Sequence, residues 1–161
     1  MVDVQLIGVL VTATSVTVAV VFYILNLRET NRNRKATLTT NLMQSFYSED
    51  GANRYLELMS MEWKDFDDFM SKYDSRVNPG NWIKRKTFWT SCDLLGYQCR
   101  IGLIDLGTLY NVGGDWIISC WEKFGPIIEY RKRDYTSDLY GNLEYIAGVL
   151  VKVQARARRL S

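Results

Sequence analysis

The 161 residues carry 20 basic and 18 acidic side chains, no histidine and three cysteines, for a formal charge of +2. Without histidine, and with Cys92, Cys99 and Cys120 lacking any paired short spacing, the composition argues against a structural zinc site and against imidazole acid–base chemistry. It also removes the usual side chain for sensing physiological pH.

The first element is Val4 to Leu27, with no charged residue between Asp3 and Arg28. As a helix these residues would extend roughly 36 Å, enough to cross a hydrocarbon core of about 30 Å. A cleaved signal peptide fits poorly, because the start carries an acid and Phe22-Tyr23-Ile24-Leu25 offers no small-residue cleavage site. Arg28, Arg32, Arg34 and Lys35 follow against the single acid Glu29, which predicts an N-terminus outside and a cytosolic body. Within the span, Gly8, Thr12, Ser15 and Ala19 share one helical face, the kind of small-residue stripe that lets another helix approach closely. The alternative is that the Thr and Ser hydroxyls bond back to their own carbonyls. The expected layout is a tail over 1–3, a transmembrane helix over 4–27, a basic juxtamembrane extension over 28–47 and a helical domain over 48–161.

The charge is unevenly placed. Residues 36–149 carry 12 basic and 16 acidic side chains, or −4, whereas residues 28–35 and 150–161 are net basic. In a cytosolic body the three thiols are expected to stay reduced and to pack as small apolar groups.

Leu38, Leu42, Met43 and Phe46 continue a helical stripe past the basic flank, with no Gly or Pro to break it. Ser48, followed by Glu49 and Asp50, reads as the start of a new helix carrying Tyr55, Leu58 and Met59. Asp65, Asp67 and Asp68 invite a calcium loop, but Met70 stands where its glycine should be and Arg76 where its closing glutamate should be. A short amphipathic helix with Phe66, Phe69 and Met70 facing inward fits better. Asn78-Pro79-Gly80 predicts a turn, after which Trp82 opens a long helix to about Gly102.

In that helix Phe88, Cys92, Leu95 and Cys99 form an apolar face, while Asp93, Gly96 and Arg100 share another. Asp93 and Arg100 are candidates for a buried ion pair, met either with each other through an intermediary or by charges elsewhere, because an unpaired buried ion costs several kcal/mol. Asp105 should cap a short helix, Gly113-Gly114 should break it, and Asp115 should cap the next. Gly113-Gly114 lacks the longer glycine pattern and the Lys-Ser/Thr of a phosphate loop. Gly125-Pro126 predicts a kink. The last helix, from about Ser137, places Leu139, Leu143, Ile146, Leu150 and Val153 on a heptad-like seam, for use within the bundle or against a second copy. Its end carries Lys152, Arg156, Arg158 and Arg159, which with the Arg28–Lys35 flank are expected to meet anionic lipid.

This order of elements resembles an uncharacterised prokaryotic family of short single-pass membrane proteins with a helical cytosolic domain of unknown function. The resemblance rests on Phe88-Trp89 through Asp93, Gly96, Gly102-Leu103-Ile104-Asp105, Trp121-Glu122 and Arg131. It implies fold and topology and carries no activity or site with it.

The expectation is an all-α protein, one transmembrane helix followed by a cytosolic helical bundle, with no cofactor and no catalytic constellation. Its expected role is a non-catalytic accessory or scaffold subunit at the cell membrane, partnered by lipid and by other membrane subunits or copies of itself. A membrane-surface regulator with lipid-binding basic ends is the alternative. A membrane tie and an acidic middle argue against nucleic acid as a partner.

Overall fold

The computed structural model describes residues 4–133 and 138–160, which form six α-helices and no strand. Two compact units divide the chain, Met1–Thr40 and Asn41–Ser161. The expected tail over 1–3 and the expected helix start at Ser137 lie outside the described residues.

The helix α1, Val4–Phe46, runs for 43 residues through both the apolar run and the basic flank. The stretch Gly8–Asn41 is long and apolar enough to cross a membrane, and none of its most apolar window is buried within the chain.

The second unit begins at Asn41, earlier than the boundary at Ser48, because Met43 and Phe46 on the last turns of α1 are buried in its core. Leu38 is exposed, and the side chain of Leu42 lies outside those described. Ser48 caps α2, Glu49–Met59, by accepting from the Gly51 N–H, and Asp65 caps α3, Phe66–Tyr73, by accepting from Asp68. Both are short side-chain oxygens satisfying N–H groups that a first helical turn leaves unpaired. In α3 Phe69 is fully buried, with Phe66 and Met70 packed against the core.

Asn78-Pro79-Gly80 is a helix start and not a separate turn. Asn78 accepts from the Asn81 N–H, and Pro79 opens α4, Pro79–Arg100, where its missing N–H costs nothing and its fixed φ suits the helix. The far end closes with Gly102 at φ +71, while Leu103 donates to the Gln98 carbonyl and Gly102 to that of Cys99. That left-handed closing residue is the position glycine occupies without strain.

The helix α5, Leu106–Lys132, consists of two helical stretches joined at a kink. The expected break falls at that kink, Gly113 (φ −179, ψ 30), but Asp115 does not cap the second stretch, since it already lies inside it. The hydroxyl and ring of Tyr47, the residue just after α1, lie where a Cβ at Gly113 would be, so the bend is shaped by packing against that ring. Pro126 is accommodated without any non-helical residue beside it.

The helix α6, Gly141–Leu160, packs between α4 and α5. Leu143, Ile146 and Leu150 of the seam are fully buried, so this face is used inside the bundle. Aromatic rings complete the core: Phe46 stacks on Phe88 at 5.2 Å, Tyr55 on Trp116 at 4.4 Å and Trp63 on Phe124 at 5.4 Å. Such pairs add about 0.5–1.5 kcal/mol beyond the area they bury.

Candidate functional site

Of the small stripe on α1, the hydroxyls of Thr12 and Ser15 donate to the carbonyls of Gly8 (2.9 Å) and Val11 (2.8 Å). Their donors are therefore satisfied within the helix. The stripe still presents an open surface, since a Cβ at Gly8 would meet nothing within 4 Å. The basic residues Arg28, Arg32, Arg34 and Lys35 are all exposed on α1, and Lys152, Arg156, Arg158 and Arg159 line the last turns of α6, where Arg156, Arg158 and Arg159 are exposed with Lys152.

Asp93 and Arg100 form no direct ion pair. They lie about 10.5 Å apart along the helix axis, two turns, which is beyond direct reach. Asn142 stands between them. The Asp93 carboxylate accepts from the backbone N–H groups of Asn142 and Leu143, both at 2.9 Å, and from the Asn142 amide at 3.3 Å. Arg100 is exposed and donates to the Asn142 side-chain oxygen at 3.3 Å, with its guanidinium 5.0 Å from the Tyr145 ring. Asp93 thus caps a helix that begins 48 residues later, supplying a negative charge where the α6 dipole is positive. Gly96 permits this junction, because a Cβ there would collide with the Asn142 carbonyl. The face shared by Asp93, Gly96 and Arg100 is the dock for the first turn of α6, and its role is structural.

A second feature was not singled out in the sequence. Trp82, Arg85, Lys86 and Trp89 follow one another at spacings of three, one and three, which places them on one face of α4. With Ser75, Ile128, Arg131, Leu139 and Tyr140 they enclose a cavity of about 210 Å³. Among the described residues its lining holds three cations and no carboxylate, although Asp74, beside Ser75, acts through space on both Arg85 and Arg131.

Arg85 is the unusual member, a cation with only 1 % of its surface exposed. One terminal nitrogen donates to the Tyr73 carbonyl at 2.9 Å, and the guanidinium lies 4.5 Å from the Phe69 ring and 5.2 Å from the Trp89 ring. Its other terminal nitrogen is buried with no hydrogen-bond partner, as is the indole nitrogen of Trp89. Burial, reinforced by the positive charge of Arg131, brings its pKa down to about 10. Asp74 acts on it favourably through space, but that carboxylate is bonded to the Arg76 Nε and N–H. The side chain of Lys86 extends to 5.6 Å from the Tyr140 ring. Tyr140 itself stands at φ +54, immediately before α6.

The cysteines are free, with Cys92 and Cys120 buried and Cys99 half-buried. Burial pushes the Cys92 thiol well above its ordinary value and that of Cys99 up to about 11. Neither is poised as a nucleophile, which requires thiolate near neutral pH. Among the described residues no cluster of three or more metal-ligating side chains occurs.

Fold and site together define an all-helical protein in which a long apolar N-terminal helix precedes a bundle with a basic, aromatic cavity. Residues 10–148 match the profile of a family described as a domain of unknown function (DUF4760), and the chain belongs to that family. The match begins inside the apolar run and ends within α6. No curated protein and no solved structure matches the chain.

Proposed function

We propose that this chain is a non-catalytic accessory or scaffold subunit of a membrane assembly, with α1 crossing the bilayer and the bundle presented at the cytosolic face. The observation that carries this reading is the apolar run of α1, whose large side chains from Val9 to Leu27 remain 44–66 % exposed. An unbroken apolar helix that buries nothing against its own chain requires lipid or another helix around it, and its backbone groups are already satisfied internally. The basic residues that follow favour the cytosolic side for the bundle. The stripe of Gly8, Thr12, Ser15 and Ala19 supplies the face for a neighbouring helix, from another subunit or a second copy.

The test is alkaline extraction of membranes expressing a tagged chain, followed by native mass spectrometry after gentle detergent release. The chain should resist extraction and emerge with a partner that is lost when Gly8, Thr12 and Ser15 are all replaced by Leu. A chain released by alkali would refute the membrane span. A chain that emerges alone would refute the subunit role.

A regulatory role at the membrane surface is favoured by one observation, the cationic cavity in the bundle, together with basic residues at both ends of the chain. Weakening of vesicle binding with salt separates the two, since lipid attachment by exposed basic residues is screened and a packed subunit interface is not.

A further inference from the structure

We propose that the cavity lined by Trp82, Arg85, Lys86, Arg131 and Tyr140 is a binding site for a small phosphate monoester. The site lies wholly within the bundle and does not depend on whether α1 spans a membrane.

Among the described residues the lining brings Arg85, Lys86 and Arg131 together, with Asp74 the one carboxylate acting on the two arginines, so the net potential favours an anion. A dianion meets Arg85 and Lys86 together, where a carboxylate carries a single charge, and Arg and Lys are the residues that hold phosphate oxygens. Arg85 points most strongly to a ligand. A guanidinium taken out of water without an ion-pair partner is costly, and stacking on Phe69 and Trp89 offsets only part of that cost. An anion in the cavity would offset more of it, with the exposed Lys86 on the solvent side and Arg85 charging the buried floor. The volume of about 210 Å³ lies below that of pockets for drug-sized ligands, so the ligand is small. Trp82 and Tyr140 supply flat walls that suit a ring or a short apolar stem beside the phosphate.

A phosphate monoester reaches such a site either as a soluble molecule or as the headgroup of a lipid. Full-length chain in uncharged detergent micelles is titrated with inorganic phosphate, phenyl phosphate or phosphatidic acid carried in the same micelles, with phenol as the uncharged control. Binding is read by calorimetry and by tryptophan fluorescence, since two of the five tryptophans line the cavity.

Saturable binding of phosphate or phenyl phosphate, and none of phenol, supports the proposal with a soluble source. Saturable binding of phosphatidic acid alone supports it with a lipid source. Lys86→Gln, an exposed residue whose loss spares the fold, should weaken binding about tenfold. Lys84→Gln, two residues away but outside the lining, should not. Arg85→Met should abolish binding if the variant folds, and Lys86→Gln keeps the test decisive if it does not. Absence of saturable binding in all arms at millimolar ligand, with native circular dichroism, overturns the proposal, as does binding that Lys86→Gln leaves unchanged.

Discussion

Replacing Gly96 by Ala should destabilise the bundle, although glycine is a poor helix former and the same change on an open helical face is favourable by up to about 1 kcal/mol. A Cβ at Gly96 collides with the Asn142 carbonyl oxygen, stands 2.8 Å from its carbon and 3.0 Å from Ile146 Cγ2. The obstacle is backbone of the first turn of α6, already fixed by its two N–H bonds to Asp93, so no flexible side chain can swing aside. Forcing α4 and α6 apart resembles overpacking a core, at about 1–3 kcal/mol, which outweighs the gain in propensity. For a domain of this size a loss of about 2 kcal/mol lowers Tm by roughly 8 °C. Gly148 on α6 is the matched control, exposed and with nothing within 4 Å of the place an alanine methyl would take. Gly148→Ala should raise Tm by a few degrees, on the order of 2–4 °C. The assay is thermal unfolding followed by near-ultraviolet circular dichroism, which reports on the bundle because all five tryptophans lie after Asn41. If Gly96→Ala melts at or above the parent temperature, the close approach of α4 to α6 is refuted.

Asp93→Ala removes the acceptor for two N–H groups at the start of α6 and should cost about 1–2 kcal/mol, checked by the same melt. Equal stability would mean that Asp93 does not cap α6. Acid should loosen α3: Lys72 and the Lys64 N–H hold the Asp68 carboxyl below its ordinary value, and Arg76 does the same for Asp74. Because both folded values are depressed, their contribution is present above the ordinary carboxylate range and is lost as pH falls through the lower folded values. An Asp68→Asn, Asp74→Asn double variant should therefore show a shallower acid transition, and an unchanged profile would contradict the assignment. Native protein at pH 8 should expose at most one slowly reacting thiol, Cys99, to a thiol-specific dye, and three after denaturation. Rapid labelling of two or more in the native state would refute the burial of Cys92 and Cys120.

Much of the fold is legible where a local rule and tertiary packing ask for the same residue. Ser48 and Asp105 are short acceptors placed before apolar periodic stretches, and both cap helices, while the cap at Asp65 is masked in the sequence by the acids beside it. Phe88, Cys92 and Leu95 form the buried face their spacing implies, as do Leu143, Ile146 and Leu150. Reading fails where one local signal serves two structures. Asn-Pro-Gly marks a turn, yet Asn at a cap and Pro in the first turn are also the commonest way to begin a helix. Gly-Gly does mark the kink in α5, yet its cause, the room that Gly113 leaves for Tyr47, lies in tertiary packing. The cavity was harder to see, because Trp-Ile-Lys-Arg-Lys reads as an exposed basic run until α3 and α5 enclose Arg85. The Asp93–Arg100 relation is invisible for another reason: its intermediary, Asn142, comes from a helix 49 positions further on.

The dependence of α6 on Asp93 also orders events in time. Forty residues separate the end of α4 from the start of α6, and the cap cannot form until α6 itself has been made. Making the 60 residues from 101 through 160 takes roughly 3–12 s at ordinary synthesis rates, during which the faces of α4 and α5 that α6 covers stay open. Docking of α6 onto α4 is thus a non-local closing step in maturation, and the interval before it is when a nascent bundle is most open to chaperones and proteases.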